Sequence, residues 1–247
     1  MSKDWDFYFC RVDSKPASIF VDLGVHDQVP IATLPFMAYL RVYMRAARPD
    51  GLSSRDEFEV LKKIEDAIEH SLVEDGASMY VGRNTSDGCR DFFFYTNSSE
   101  RWNTSVADVM RAFREYEYDS DVREDPEWGT YRNFLYPSEE DRERIENRRT
   151  CQALERNGDN LETEREIDHW AYFPDEISRS KFIAKAGELG FGVRTTSEPS
   201  DVGETYGVQL FRLDKPSLDN IDAVTLPLHR IAKEHGGDYD GWETQVQ

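Results

Sequence analysis

Hydrophobic periodicity changes along this 247-residue chain in an order that occurs twice, and few architectures accept that order. From residue 36 it runs strand, helix, strand, strand, helix, strand. Phe36, Ala38, Leu40, Val42 and Met44 alternate with Met37, Tyr39 and Tyr43, and a period of two marks a half-buried strand. Pro49-Asp50-Gly51 turns the chain, and Ser54 and Glu57 then have the spacing of a capping box, which satisfies the first free amides of a helix. Phe58, Leu61, Ile64, Ile68 and Leu72 form a helical stripe that stops before Gly76. Residues 78–84 and 89–95 read as strands joined by Ser86-Asp87-Gly88, a hairpin signal. Val106, Val109, Met110 and Phe113 mark a short helix, and residues 115–122 are extended again.

The second pass places a strand at 166–173, a helix at 175–189, a hairpin of 191–196 and 204–213, a helix at 218–235 and a closing strand at 238–246. This βαββαβ order predicts an α+β chain of two ferredoxin-like two-layer sandwiches, each with two helices on one face of an antiparallel sheet. Strands at 5–12 and 17–23 give the first sandwich an extra N-terminal hairpin. The two halves show no residue-level repeat. Pro227 falls inside the last helix and predicts a kink or a late start. A prior of roughly 150 residues per domain also favours two domains. The expected division is an N-terminal domain at 1–136, a charged connecting helix at 137–158 and a C-terminal domain at 159–247. The connecting segment opens on Glu139, Glu140, Asp141, Arg142, Glu143 and Arg144 and has Ile145, Cys151 and Leu154 as its few apolar residues.

Gly236 and Gly237 end the last helix, glycine supplying the left-handed conformation by which a chain leaves a helix. Simple alternation then sets Asp240, Trp242, Thr244 and Val246 on one face and Tyr239, Gly241, Glu243 and Gln245 on the other. Gly241 predicts a bulge or a close approach of another group. This stretch, with Asp168-His169-Trp170, Phe173 and Leu189-Gly190-Phe191 before it, resembles the bacterial family called regulator of ribonuclease activity B over about residues 160–247. Trp5 to Tyr8, Ile64-Glu65-Asp66, Arg90-Asp91-Phe92 to Tyr95, and Asp125-Pro126-Glu127-Trp128 are similar to a bacterial domain of unknown function, the family numbered 695, which often precedes that module. The resemblance implies a regulator that binds the non-catalytic scaffold region of ribonuclease E and inhibits RNA degradation. The extra N-terminal domain departs from the simple family member.

Charge narrows the partners. The chain carries 49 acidic against 30 basic residues, a formal charge of −19. Binding a phosphate backbone needs clustered Lys and Arg, and Arg148-Arg149 is the best local pair, with acids around it. Direct nucleic-acid binding is therefore not expected, and attraction to a basic protein is. No run of about 18 apolar residues is present, so no membrane span is expected. The first residues lack the apolar core of a secretory signal. Cys10, Cys89 and Cys151 are widely spaced and fit free thiols in a reducing cytoplasm.

No G-x-S-x-G, H-E-x-x-H or P-loop signature occurs, and Gly187, Gly190 and Gly192 read as a helix cap. The five histidines lack metal-ligand spacing, and Asp238, Asp240 and Glu243 lack the twelve-residue loop of an EF-hand. Neither metal nor cofactor is expected. On the strand at 166–173, His169 shares a face with Ile167, Ala171 and Phe173, as a core histidine does. Asp168, Trp170 and Tyr172 share the other face. In a two-layer sandwich large aromatics there imply a cover, from the other domain, a second subunit or a partner. Asp91-Phe92-Phe93-Phe94-Tyr95 raises the same question in the first half.

Three readings follow. The first is a non-catalytic protein-binding regulator with Trp170, Tyr172, Asp240 and Trp242 at its interface. The second is a small-ligand protein or enzyme with Asp168, His169 and His229 in a polar cleft between the domains. The third is a subunit of a larger assembly, with self-association left open.

Overall fold

A computed structural model describes residues 2–73, 76–199, 201 and 205–247. The chain divides into two compact units, Met1–Pro137 and Ser138–Gln247, and is α+β with two antiparallel sheets.

The first unit contains β1 (Trp5–Val12), β2 (Lys15–Asp22), β3 (Phe36–Tyr43), α1 (Arg55–Val73), β4 (Ser78–Ser86), β5 (Cys89–Thr96), α2 (Ser99–Met110) and β6 (Tyr118–Glu124). Its sheet order is β1-β2-β4-β5-β3-β6, so the N-terminal hairpin adds to the β4 edge. Residues 13–14 and 87–88 all have positive φ, which suits two-residue hairpin turns to the twist of their strands. Glu57 supplies only half of the expected capping box. Its N–H donates to Ser54 Oγ at 3.3 Å, but its buried carboxylate accepts the N–H groups of Arg45 and Ala46 and the Tyr116 hydroxyl. The end of β3 is thereby tied to α1.

Both faces of this sheet are filled. Ala38, Leu40, Val42, Phe92 and Phe94 pack against Leu61, Ile64, Ile68 and Leu72 of α1 and Trp102 and Val106 of α2. Phe93 and Tyr95 point the other way. Tyr95 stacks on Trp128 with ring centroids 3.8 Å apart, and Phe93 meets Phe134 edge-on. The cover is residues 125–136, a segment of the same unit that ends in a π-type turn at Tyr131–Leu135. The second aromatic face of this half is thus closed from within its own unit.

The second unit contains α3 (Glu139–Arg156), β7 (Arg165–Phe173), α4 (Glu176–Glu188), β8 (Gly192–Ser197), β9 (Tyr206–Asp214), α5 (Leu218–Glu234) and β10 (Asp238–Glu243). Its sheet order is β10-β7-β9-β8. The helix at 139–156 is not a free connector. Cys151 and Leu154 enter the core of the second unit with Ile167, Ala171, Phe173, Phe182, Leu210, Leu228 and Tyr239. Asn147 donates to Asp222 and Thr225 of α5, so the second unit starts at Ser138. α5 begins at Leu218 and runs through Pro227, so of the kink or late start expected there the late start is not found. Gly236 takes φ 70° to leave α5, and a Cβ on Gly237 would lie 2.2 Å from the Phe173 ring. The first glycine serves the turn and the second the packing.

Asp125 organises the cover of the first unit. Its carboxylate accepts the Gly129 and Thr130 N–H groups at 2.7 and 2.8 Å and the Tyr95 hydroxyl at 2.7 Å. These bonds hold Trp128 fully buried at φ 58°, a conformation costly for a bulky side chain. Burial pushes the Asp125 carboxyl up, but those donors outweigh it and leave it below the usual carboxylate range. Asp125→Ala is expected to destabilise the first unit by roughly 2–4 kcal/mol through its unpaired donors, read as a lower urea midpoint with early exposure of tryptophan fluorescence. An unchanged midpoint would show that the cover does not depend on this carboxylate.

Candidate functional site

In the second unit the residues of β7 divide by parity between two environments. Ile167, His169, Ala171 and Phe173 face α3, α4 and α5, whereas Glu166, Asp168, Trp170 and Tyr172 face the side on which this unit places no helix. β9 contributes Phe211 and Leu213 to that open side, since Phe211 pairs with Asp168 and Leu213 with Glu166. The aromatic rings lie down on the sheet because glycines make room. A Cβ on Gly192 would lie 2.6 Å from the Phe211 ring, and one on Gly207 would lie 3.2 Å from that of Tyr172. Arg194 crosses Phe211 at 4.7 Å and ends in ion pairs with Asp168 at 2.5 Å and Glu166 at 2.7 Å. Trp170, Tyr172 and Phe211 are half-buried, and Leu213 is 59% exposed. A polar depression of about 570 Å³ at one end of this face is lined by residues that include Asp168, Arg194 and Glu243.

The closing strand departs from simple alternation. The register of β10 against β7 shifts between Tyr239 and Gly241, where Gly241 has φ 103° and open space around it. Gly241 is therefore a bulge, with no close neighbour to accommodate. The extra residue, Asp240, is exposed, and every side chain after it changes face. Trp242 pairs with His169, packs against the core and donates its indole N–H to Asn147 Oδ1 of α3 at 2.8 Å. It does not stand beside Trp170 and Tyr172. Phe211 and Leu213 share the open face with them instead, opposite Asp168 and Glu166, and their signal was the parity of Gly207, Gln209, Phe211 and Leu213 along β9.

The polar trio of the ligand reading does not converge. Asp168 is on the open face. His169 is buried in the core, where Nδ1 meets the Tyr239 hydroxyl at 2.8 Å, and burial, with Arg212 nearby, pushes it down to about 3. It is a neutral structural imidazole. His229 lies on α5 in a separate groove lined by Glu139, Glu140 and Arg230, with burial and then Lys233 lowering its pKa. Among the described residues no group of three or more His, Cys, Asp or Glu side chains is arranged to hold a metal. No helix among them is long and apolar enough to cross a membrane.

Beneath β10 lies a buried polar seam. Asn147 links Asp222 and Thr225 to Trp242. Burial, then the nearby charges of Asp222 and Glu146, pushes the Glu143 carboxyl up to about 7 from its ordinary 4.5. The folded state holds this proton more tightly than the unfolded chain, so the contribution of Glu143 to stability falls as pH rises from about 4.5 to about 7. His169 works in the opposite sense, since its depressed pKa costs stability as pH falls below about 6.5. Glu143→Gln isolates the first effect. Its unfolding free energy from urea titration is expected to match the parent near pH 4.5 and to rise above it towards pH 8, by on the order of 2–3 kcal/mol. A difference independent of pH would place Glu143 in water.

Comparison with known proteins adds a family to this geometry. Among solved structures, an unknown protein from Galdieria sulphuraria is 11% identical, with 85% of this chain and 99% of that chain covered and a TM-score of 0.25. A putative glycine cleavage system transcriptional repressor is 8% identical, with 85% and 98% covered and a TM-score of 0.26. Neither overlap is close enough to carry an argument. No curated protein matches the chain. Family models do match, in the order that the sequence motifs suggest. Residues 3–136 fit the Family of unknown function (DUF695), and residues 144–244 fit Regulator of ribonuclease activity B. Since the first match spans more than half of its length, the chain belongs to the Family of unknown function (DUF695), and it carries a Regulator of ribonuclease activity B domain on the C-terminal side.

Proposed function

We propose that this chain is a non-catalytic, cytoplasmic binding protein that regulates RNA degradation by docking a basic segment of a protein partner, ribonuclease E in the first instance. The observation that carries this reading is the open face of the second unit's sheet. Trp170, Tyr172, Phe211 and Leu213 form an apolar strip there, and aromatic anchors of this type dominate the energetics of protein interfaces. The same face carries Glu166, Asp168 and Glu243, and the exposed Asp240 is the unpaired residue of the β10 bulge. Of these four only Glu166 and Asp168 make ion pairs among the described residues. An acidic rim on a chain of charge −19 favours an Arg- or Lys-rich segment and speeds its encounter. The family match at residues 144–244 supports a regulatory role, and the scaffold region of ribonuclease E supplies the required basic chemistry.

A titration of the full chain with that scaffold at low and moderate salt tests the proposal. Saturable binding should persist at moderate salt, because the aromatic strip contributes a part that salt does not screen. Trp170→Ala should weaken it about tenfold or more. Trp242→Ala should lower stability instead, through the loss of its Asn147 bond and core contacts. An affinity unchanged by Trp170→Ala would reject the open face as the docking surface. The absence of saturable binding would reject ribonuclease E as the partner.

A further inference from the structure

Among the β1–β2 hairpin, the loop before α1 and the strands β4 and β5 lies a cavity of about 400 Å³, a size that suits a small organic ligand. Its lining runs against the composition of the chain. Arg48, Arg83 and Arg90 bring three positive charges to it, and no Asp or Glu lines it. The arginines differ in what holds them. Arg48 pairs with Asp50 at 2.6 Å. Arg83 pairs with the buried Glu65 and lies over the Phe20 ring at 4.4 Å. Glu65 is further engaged by the Tyr80 hydroxyl.

Arg90 is the exception. It is 3% exposed and makes no ion pair among the described residues. Nε donates to Thr85 Oγ1 at 2.8 Å and Nη2 to Ser53 Oγ at 3.2 Å, while the buried Nη1 has no acceptor. Burial, then the neighbouring Arg83, pushes its pKa down to about 10, which leaves it charged at neutral pH. Two hydroxyls do not neutralise a guanidinium, and the nearby Glu65 carboxylate, which raises the Arg90 pKa, is already paired with Arg83. The two arginines thus share one buried counter-charge, which is unfavourable. The missing partner is an anion. The rest of the cavity indicates what body that anion carries. Phe58 covers Arg90 at 5.4 Å and is 41% exposed, Phe9 is 62% exposed, and Phe7 meets Phe9 edge-on at 5.6 Å. Apart from the arginines, the polar side chains of the lining are the hydroxyls of Ser18, Ser53 and Thr85. No side-chain amide or carboxylate is there to read the edge of a nucleobase.

We propose that this cavity binds a small aryl carboxylate, whose acid group pairs with the Arg90 guanidinium and whose flat body lies among Phe7, Phe9 and Phe58. The site is separate from the open face of the second unit, and its test does not depend on that face. Fluorine NMR of the full chain titrated with 4-fluorophenylacetate provides it, with 4-fluorophenylacetamide as the neutral isostere and AMP, which carries no fluorine, as a competitor that displaces the bound acid. Saturable binding of the acid is expected, with the amide weaker by about tenfold or more and AMP weaker than the acid. Arg90→Met should abolish binding of the acid, and Phe58→Ala should weaken it several-fold. Equal binding of acid and amide, tighter binding of AMP, or no saturation of the acid by about 10 mM would each overturn the proposal. Should Arg90→Met fail to fold, Phe58→Ala decides, because its ring is at the mouth of the cavity, and an unchanged affinity there would also overturn it.

Discussion

A sheet has two faces, and two helices cover one of them. Apolar side chains on the remaining face must still be removed from water, and the two units meet that constraint differently. In the first, the uncovered face presents Phe93 and Tyr95, and the chain returns after β6 to close it with Trp128, Tyr131 and Phe134. The closing segment is not a regular element. It is a tight turn held by one carboxylate and followed by a short π-helix at Tyr131–Leu135, and its tryptophan sits in a left-handed conformation. That strain is sustained because the Asp125 bonds and the stack on Tyr95 over-determine the local geometry.

The second unit has an aromatic face of the same kind, and among the described residues no segment of its own closes it. α3 could have served, since it precedes the sheet and is long enough. It packs instead beside α5 on the face already occupied by helices. Its charged composition hides how firmly it is held, because Asn147 does by hydrogen bonding what an apolar residue would do by packing. The two faces of the second sheet therefore differ in kind. One is a core with a polar seam, and the other is an apolar strip with an acidic border.

How much of this was legible in the sequence follows from the range of each interaction. Element order, the hairpin turn between β4 and β5 and the αL exit at Gly236 depend on neighbours within a few residues, and their sequence signals were sufficient. The open-face positions of Asp168, Trp170 and Tyr172 followed from parity along one strand. Trp242 did not, because a single inserted residue at Asp240 reverses the parity of what comes after it, and register is set by the partner strand. Gly241 announced a bulge without saying which side chains it would turn. The cover formed by residues 125–136 was out of reach for a related reason. A strained turn has no periodicity, so Trp128 looked like one more aromatic after a strand.

Charge shows the same dependence on range. A net charge of −19 argues against a broad basic surface, but an average over the chain is silent about a single buried group. Arg90 is separated from that acidic field by its burial, and its energy is set by what lies within a few ångströms. Its contacts there are two hydroxyls and an aromatic ring. The global excess of acid and the local excess of base therefore do not contradict each other. The first governs which macromolecules approach the chain through water, and the second governs which small molecule could be held once water is excluded. Two recognition chemistries can coexist on one chain because screening and burial keep them apart.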